Sequence, residues 1–313
     1  MDHKPYRSLN EYYREIFGRK AAKISLDGGY TCPNRDGSCG TRGCLFCSAG
    51  GSGDFAESAA LSISEQIAQG KAQTADKWKD PAYIAYFQAF TNTYAPVAEL
   101  RQKYEEALSC EGIEGISIAT RADCLPEDVL ELLSELNQKT QLWVELGLQT
   151  SDEASALRIR RGYPLSVFED AVHRLAERRI PVVVHVILGL PQEDRETVLH
   201  TIDCINRLPV QGIKLQLLHV LADSDLAALY HDGSYTPLTK EAYIALTADC
   251  IAHLRKDIVL HRLTGDGDRN TLLAPLWSLR KRDVLNSLHK YLKENEIRQG
   301  KYCKIPAEGL QEK

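Results

Sequence analysis

Short apolar, β-branched runs alternate along this chain with longer stretches whose apolar positions recur at helical spacing. The runs AAKISLD (21–27), YIAYFQ (83–88), GISIAT (115–120), QLWVELGLQ (141–149), PVVVHVILG (181–189) and GIKLQLLHV (212–220) predict strands. Helices are predicted over 62–78, 97–109, 126–138, 166–179 and 194–207. The result is six βα units at about 30-residue spacing, the size of one repeat in a parallel sheet. PVVVHVIL is apolar on both faces, as expected where helices cover the sheet.

Six such units suit an open doubly wound sheet or a partial barrel. The G-x-G-x-x-G turn of a dinucleotide-binding sheet does not follow the first strand. The expected fold is therefore α/β: a partial (β/α)6 TIM-like barrel over 21–225. An N-terminal extension over 1–20 and a mainly helical C-terminal extension over 226–313 complete the expected division. In such barrels the chemistry sits on loops at the C-terminal ends of the strands. No stretch reaches the ~18 consecutive apolar residues of a membrane span, and the N-terminus is polar. A cytoplasmic protein with no membrane partner is expected.

Of 313 residues, 43% are hydrophobic and 26% charged, which excludes a disordered tail, a collagen-like repeat and a disulfide-dense mini-domain. A chain of this size needs no metal to hold itself together, so a metal here would serve chemistry. Four of the nine cysteines, Cys32, Cys39, Cys44 and Cys47, fall within sixteen residues on the Gly-rich loop after the first strand. Cys110, Cys124, Cys204, Cys250 and Cys303 are scattered, and the first four of these read mostly as core. Thiolates ligate zinc and iron–sulfur clusters, and C-x₂-C lets Cys44 and Cys47 reach one centre. Four thiolates would close a site, as in a non-catalytic zinc-knuckle RNA-binding protein. Three would leave one metal position open for a ligand.

Charge is unevenly spread. Residues 1–23 carry +3 and 277–304 carry +5, while the segment between them carries −12. Basic ends on an acidic body suit a polyanion partner; the plainer reading is a solvated amphipathic helix.

The aromatic residue before Cys47 in Cys44-Leu45-Phe46-Cys47 completes a pattern that resembles the radical S-adenosylmethionine superfamily. The long gap from Cys32 departs from the generic C-x₃-C-x₂-C spacing. It is similar instead to the subgroup related to the catalytic subunit of elongator, which modifies wobble uridines of tRNA. That subgroup's motifs appear in order as Cys32-Pro33, Gly50-Gly51-Ser52-Gly53-Asp54-Phe55, Thr120-Arg121-Ala122-Asp123, Glu145-Leu146-Gly147-Leu148-Gln149, Arg161-Gly162-Tyr163 (Tyr replacing His), His185 and Leu190-Pro191. The whole chain, with its QAFTNTYAP (88–96) and HRLTGDG (261–267) segments, looks like a short bacterial family that lacks the acetyltransferase domain. Acetyl transfer is accordingly not expected.

The resemblance implies a [4Fe–4S] cluster on Cys32, Cys44 and Cys47, with Cys39 as the rival for the first position. It implies S-adenosylmethionine at the open iron, an electron from a reductant such as flavodoxin or ferredoxin, and a 5′-deoxyadenosyl radical. Gly50 and Gly51 would let the backbone approach the cofactor. Gln88 and Ala89 stand where the superfamily meets the methionine amino group. Glu145 and Gln149 would lie at the ribose, and Arg161 at the methionine carboxylate. Arg161 has a plainer reading as a helix-flanking arginine among Arg158, Arg160 and itself. His185 reads either as a satisfied core histidine or as a catalytic group. Asp123, Asp266 and Asp268 read as substrate ligands or turn caps. The substrate implied by analogy is tRNA, at a wobble uridine with a carboxymethylaminomethyl-type side chain. A small-molecule or porphyrin-like substrate is the enzymatic alternative.

Overall fold

The computed structural model describes residues 4–51, 53, 55–74, 79–265 and 267–305. Helix α1 (Leu9–Phe17) starts on a capping box between Ser8 and Glu11 and stops at Gly18, whose φ of 68° only glycine adopts freely. Then β1 (Ala21–Leu26), α2 (Ile63–Thr74), β2 (Ala82–Phe87), α3 (Val97–Ser109), β3 (Ile113–Thr120), α4 (Glu127–Lys139) and β4 (Gln141–Gln149) alternate as predicted. Helices α5 (Glu153–Arg158) and α6 (Leu165–Glu177) lead to β5 (Val182–Leu188), α7 (Arg195–Asn206) and β6 (Gly212–Leu217). The predicted 212–220 strand is cut after Leu217, and β7 (Val220–Leu221) leaves the sheet. The end of the predicted 62–78 helix, at 75–78, lies outside the described residues.

The strand order β1-β2-β3-β4-β5-β6 follows the chain without reversal, and every pairing is parallel. A doubly wound sheet reverses direction at a switch point; this one curls one way, as a barrel does. The extension beyond residue 225 is more than helical. After α8 (Leu226–His231) and α9 (Lys240–His253), β8 (Val259–Arg262) adds a seventh parallel strand against β6. Strand β9 (Leu272–Ala274) pairs antiparallel with β7, and α10 (Lys281–Glu294) then packs beside α9.

Side chains alternate across each strand, so odd-numbered positions of β4 and β5 face the inside of the curl. At its base, Ile84, Trp143 and Val183 form an apolar cluster with Tyr13 of α1. The Trp143 ring meets Tyr12 at 5.2 Å and the edge of His261 at 4.6 Å. The N-terminal extension is thus the plug of the barrel floor.

Candidate active site

The cysteine loop is pinned at Cys44 and Leu45 of its C-x₂-C turn. Leu45 donates its N–H to Ile159 O (3.0 Å) and its carbonyl accepts from Leu226 N. Asn34 Nδ2 donates to Cys44 Sγ (3.4 Å) and to Arg160 O (2.7 Å), while Asp225 bridges Arg42 and Arg160 at 2.8 and 2.6 Å. Cys32, Cys44 and Cys47 line one cavity of ≈ 230 Å³ at the C-terminal ends of the strands, with Gly51, Gln88, Glu145, Gln149, Arg161 and His185 among its other walls. Cys44 and Cys47 share a hydrogen bond. That bond is the main cause holding the Cys44 thiol down at about 7, against burial, with Asn34, Arg121 and Arg160 adding to it. The same bond and burial push Cys47 well up.

Below this mouth lies a layer of buried ionic groups. Glu145 is 1% exposed, and both its oxygens are occupied. Oε1 accepts from Lys23 Nζ (2.7 Å) and Ser117 Oγ (2.6 Å); Oε2 meets His185 Nε2 (2.7 Å) and Lys214 Nζ. Lys214 Nζ also donates to Tyr86 OH (3.0 Å) and lies over the Tyr86 ring. Burial alone would push the Glu145 carboxyl up; the charges of Lys214 and Lys23 and the His185 hydrogen bond outweigh it and hold it well below the carboxylate range. Burial, reinforced by the Lys214 charge, drives His185 down to about 4, and burial with Lys23 and Arg262 drives Lys214 down to about 7.

Residues 36–205 match the family model described as the Radical SAM superfamily, and 210–294 match the Radical_SAM C-terminal domain. The chain belongs to the radical S-adenosylmethionine superfamily. It is 45% identical to the uncharacterized protein YtqA of Bacillus subtilis over 96% of this chain and 93% of that one. It is 36% identical to the protein YhcC of Escherichia coli K12 over 90% of each. Among solved structures, the archaeal Elp3 of Methanocaldococcus infernus shares the fold with a TM-score of 0.67 at 15% identity. That match covers 89% of this chain, which spans 64% of the longer Elp3 chain.

Radical S-adenosylmethionine enzymes use a [4Fe–4S] cluster and S-adenosylmethionine, and the residues present fit that pair. Three thiols share one wall of a cavity ringed by the Arg35, Arg121 and Arg161 cations, which suits an anionic thiolate-bound cluster. Gly51, at φ 58°, leaves no room for a Cβ against the Phe90 ring, so its backbone can lie flush with the cavity. Gln149 Oε1 is buried without a hydrogen-bond donor among the described residues, as expected of a group that meets a bound ligand. Cys39 stands apart: it is exposed and lines a different pocket with Tyr94 and Cys124. A knuckle of all four clustered cysteines is therefore not what this loop builds.

Two sequence expectations change. Arg161, expected at a methionine carboxylate, commits its guanidinium to Tyr163 O (2.9 Å), Leu148 O (3.2 Å), Thr150 O (2.7 Å) and Glu153 (3.2 Å). Only 2% exposed, it holds the end of β4 against the Arg-Gly-Tyr turn and positions Gln149. Glu145, expected at a ribose, is instead the hub of the ionic layer, with no oxygen left unengaged. Gln88 Oε1 accepts from Ser25 Oγ (2.9 Å), Ala89 is fully buried, and Gly50 is exposed. Asp123 pairs with Arg121 through two contacts (2.9 and 2.7 Å), and Asp268 caps a turn at Thr271; Ser52, Asp54 and Asp266 lie outside the described residues. Lys23, Tyr86, Ser117 and Lys214 were not singled out from the sequence. Their signal is a lysine flanked by apolar residues mid-strand, at the inward parity of its strand. No helix among the described residues is long and apolar enough to cross a membrane.

The ionic layer makes stability pH-dependent. The unfolded chain binds a proton at the His185 position below about 6.5, and the folded chain only below about 4. Between these values the unfolded state holds more protons, so stability falls as pH drops through that window, by about 3 kcal/mol in all. Urea unfolding from pH 7 to pH 4 should show this slope in the wild type and lose much of it in His185→Gln. An equal slope in both would assign the loss to other groups.

Proposed function

We propose that this radical S-adenosylmethionine enzyme modifies tRNA at a wobble uridine that carries a carboxymethylaminomethyl-type side chain. The observation that carries the reading is a basic strip along α10. It starts beside the β7–β9 ribbon with Arg280, Lys281 and Arg282, at the active-site end of the barrel, and continues through Lys290 and Lys293. At the other end Tyr6 OH meets His289 Nε2 (2.8 Å) and Gln299 N donates to Pro5 O (2.8 Å). Those contacts bring the N-terminal segment that carries Lys4 and Arg7 beside the segment that carries Arg298, Lys301 and Lys304. The helix alone gives the strip about 21 Å, long enough for several phosphates. Kinship with an elongator-like fold and the cavity at the strand ends support the same reading.

When bound, the cluster and S-adenosylmethionine supply a one-electron cleavage that yields a 5′-deoxyadenosyl radical, with the electron drawn from a reductant of the flavodoxin or ferredoxin class. The chain's own part is to hold the cluster on Cys32, Cys44 and Cys47, to meet the ligand with Gln149 and the Gly51 backbone, and to close the floor against water with α1. The acidic middle of the chain favours a small-molecule substrate instead.

One experiment separates them: 5′-deoxyadenosine release by anaerobically reconstituted protein with reductant and S-adenosylmethionine, with and without bulk tRNA. Release should rise with tRNA, and tRNA affinity should fall by at least about 10²-fold between 50 and 200 mM salt. Release indifferent to tRNA, or an unchanged tRNA nucleoside profile in a deletion strain, would send the search to small molecules.

A further inference from the structure

The middle layer of the barrel carries two lysines for one carboxylate. Lys23 and Lys214 both pair with Glu145, which is the sole carboxylate lining the cavity among the described residues, while Lys214, Arg262, Arg35, Arg121 and Arg161 line it too. Arg121 and Arg161 are matched by Asp123 and Glu153, and Arg35 donates to Ser48 O (2.5 Å) on the cysteine loop. Lys214 is 4% exposed, and two of its three N–H donors go to Glu145 and Tyr86; no described residue accepts the third. The Tyr86 hydroxyl accepts from Lys214 and is itself turned toward Glu145, so it belongs to the same paired layer. A buried ammonium with one open donor, sharing its only carboxylate with a second lysine, is costly alone and is relieved by an anion of matching depth.

We propose that Lys214, through the donor that neither Glu145 nor Tyr86 takes, is the receptor for a carboxylate carried by the substrate's side chain. A slender substituent reaches this depth through a cavity of ≈ 230 Å³. A backbone phosphate of RNA cannot descend there without the rest of the strand. The choice of carboxylate rests on the wobble-uridine reading above: the carboxymethyl tip of that side chain is the group seated on Lys214. A single open ammonium donor suits one monoanion, and the substrate's specificity is read at this tip rather than at the uracil ring.

The test uses the reconstituted holoprotein with S-adenosylmethionine. Anticodon stem–loops bearing the carboxymethylaminomethyl uridine, or its uncharged methyl ester, are titrated by fluorescence anisotropy. The wild type should bind the acid about tenfold more tightly than the ester. Lys214→Met should bind both alike, and Lys214→Arg should keep most of the preference. Equal binding of acid and ester by the wild type, or an intact preference in Lys214→Met, overturns the receptor. Saturation-transfer NMR with sodium acetate is the second arm, with inorganic phosphate as competitor. If neither stem–loop binds, the RNA reading falls and this arm decides alone. Acetate contact in the wild type and none in Lys214→Met upholds the receptor, equal contact in both overturns it, and stronger phosphate binding overturns the carboxylate assignment. Glu145 keeps Lys23 and His185 in Lys214→Met, so the layer retains a paired carboxylate, and the wild-type acid–ester comparison stands whether or not the variant folds.

Discussion

Cys44→Ala protein, reconstituted anaerobically with iron and sulfide, is expected to stay colourless and to release 5′-deoxyadenosine only at background. Cys32→Ala and Cys47→Ala should match it, whereas Cys39→Ala should keep both colour and activity. The reasoning is geometric. Cys32, Cys44 and Cys47 share one cavity wall, and Cys39 faces a separate pocket from an exposed position. Folding should survive in all four variants, because a 313-residue chain buries enough apolar surface without a metal. Circular dichroism and a thermal melt of the apo proteins would establish that the lost chemistry is not lost structure. A colourless Cys39→Ala protein would mean that the first cluster ligand is Cys39 and that the loop rearranges around bound iron.

The alternation of β and α elements could be read from the chain because each of the six predicted strands is a mostly apolar run; β4 coincides with its predicted bounds, Gln141–Gln149. The cysteine loop was also plain, since ligand spacing is local. What escaped prediction depends on distant partners. Strand β8 is four residues long, VLHR, too short for any periodicity, and becomes a strand only by pairing with β6. Arg161 sits in a run of arginines that look alike in sequence; only the folded turn gives it four acceptors while Arg160 takes Asp225. Glu145 is legible by its motif, but its neighbours are not local. Its partners Lys23, Ser117, His185 and Lys214 come from four other strands, and nothing local announces that they meet. The parity of those strands would have helped: each partner occupies an inward position, and a lysine inside an apolar strand needs a counter-charge.

That meeting makes Glu145 the residue on which the barrel interior depends most. Glu145→Gln should cost about 3–5 kcal/mol of unfolding free energy at pH 7, because it strands two lysines in the barrel interior with no carboxylate between them. The amide also cannot accept at both ends as the carboxylate does, so either the Lys23–Ser117 side or the His185–Lys214 side loses its bond. The sign of the pH response distinguishes this account from simple loss of packing. Burial already lowers Lys214 to about 7, and without Glu145 it falls further. The unfolded chain keeps that proton up to the ordinary lysine range, near 10.5, so the unfolded state binds more protons above pH 7. The wild type opens the same gap only above about 7, whereas the variant has it open below 7 already, so the deficit of Glu145→Gln should shrink as pH rises from 6 to 8. Adding Lys214→Met, which removes the stranded charge, should recover part of the loss at neutral pH. Urea unfolding of the wild type and of the single and double variants at pH 6, pH 7 and pH 8 measures both effects. A deficit under about 1 kcal/mol at pH 7, or one that does not respond to pH or to Lys214→Met, would mean that water or a bound anion already shields the two lysines.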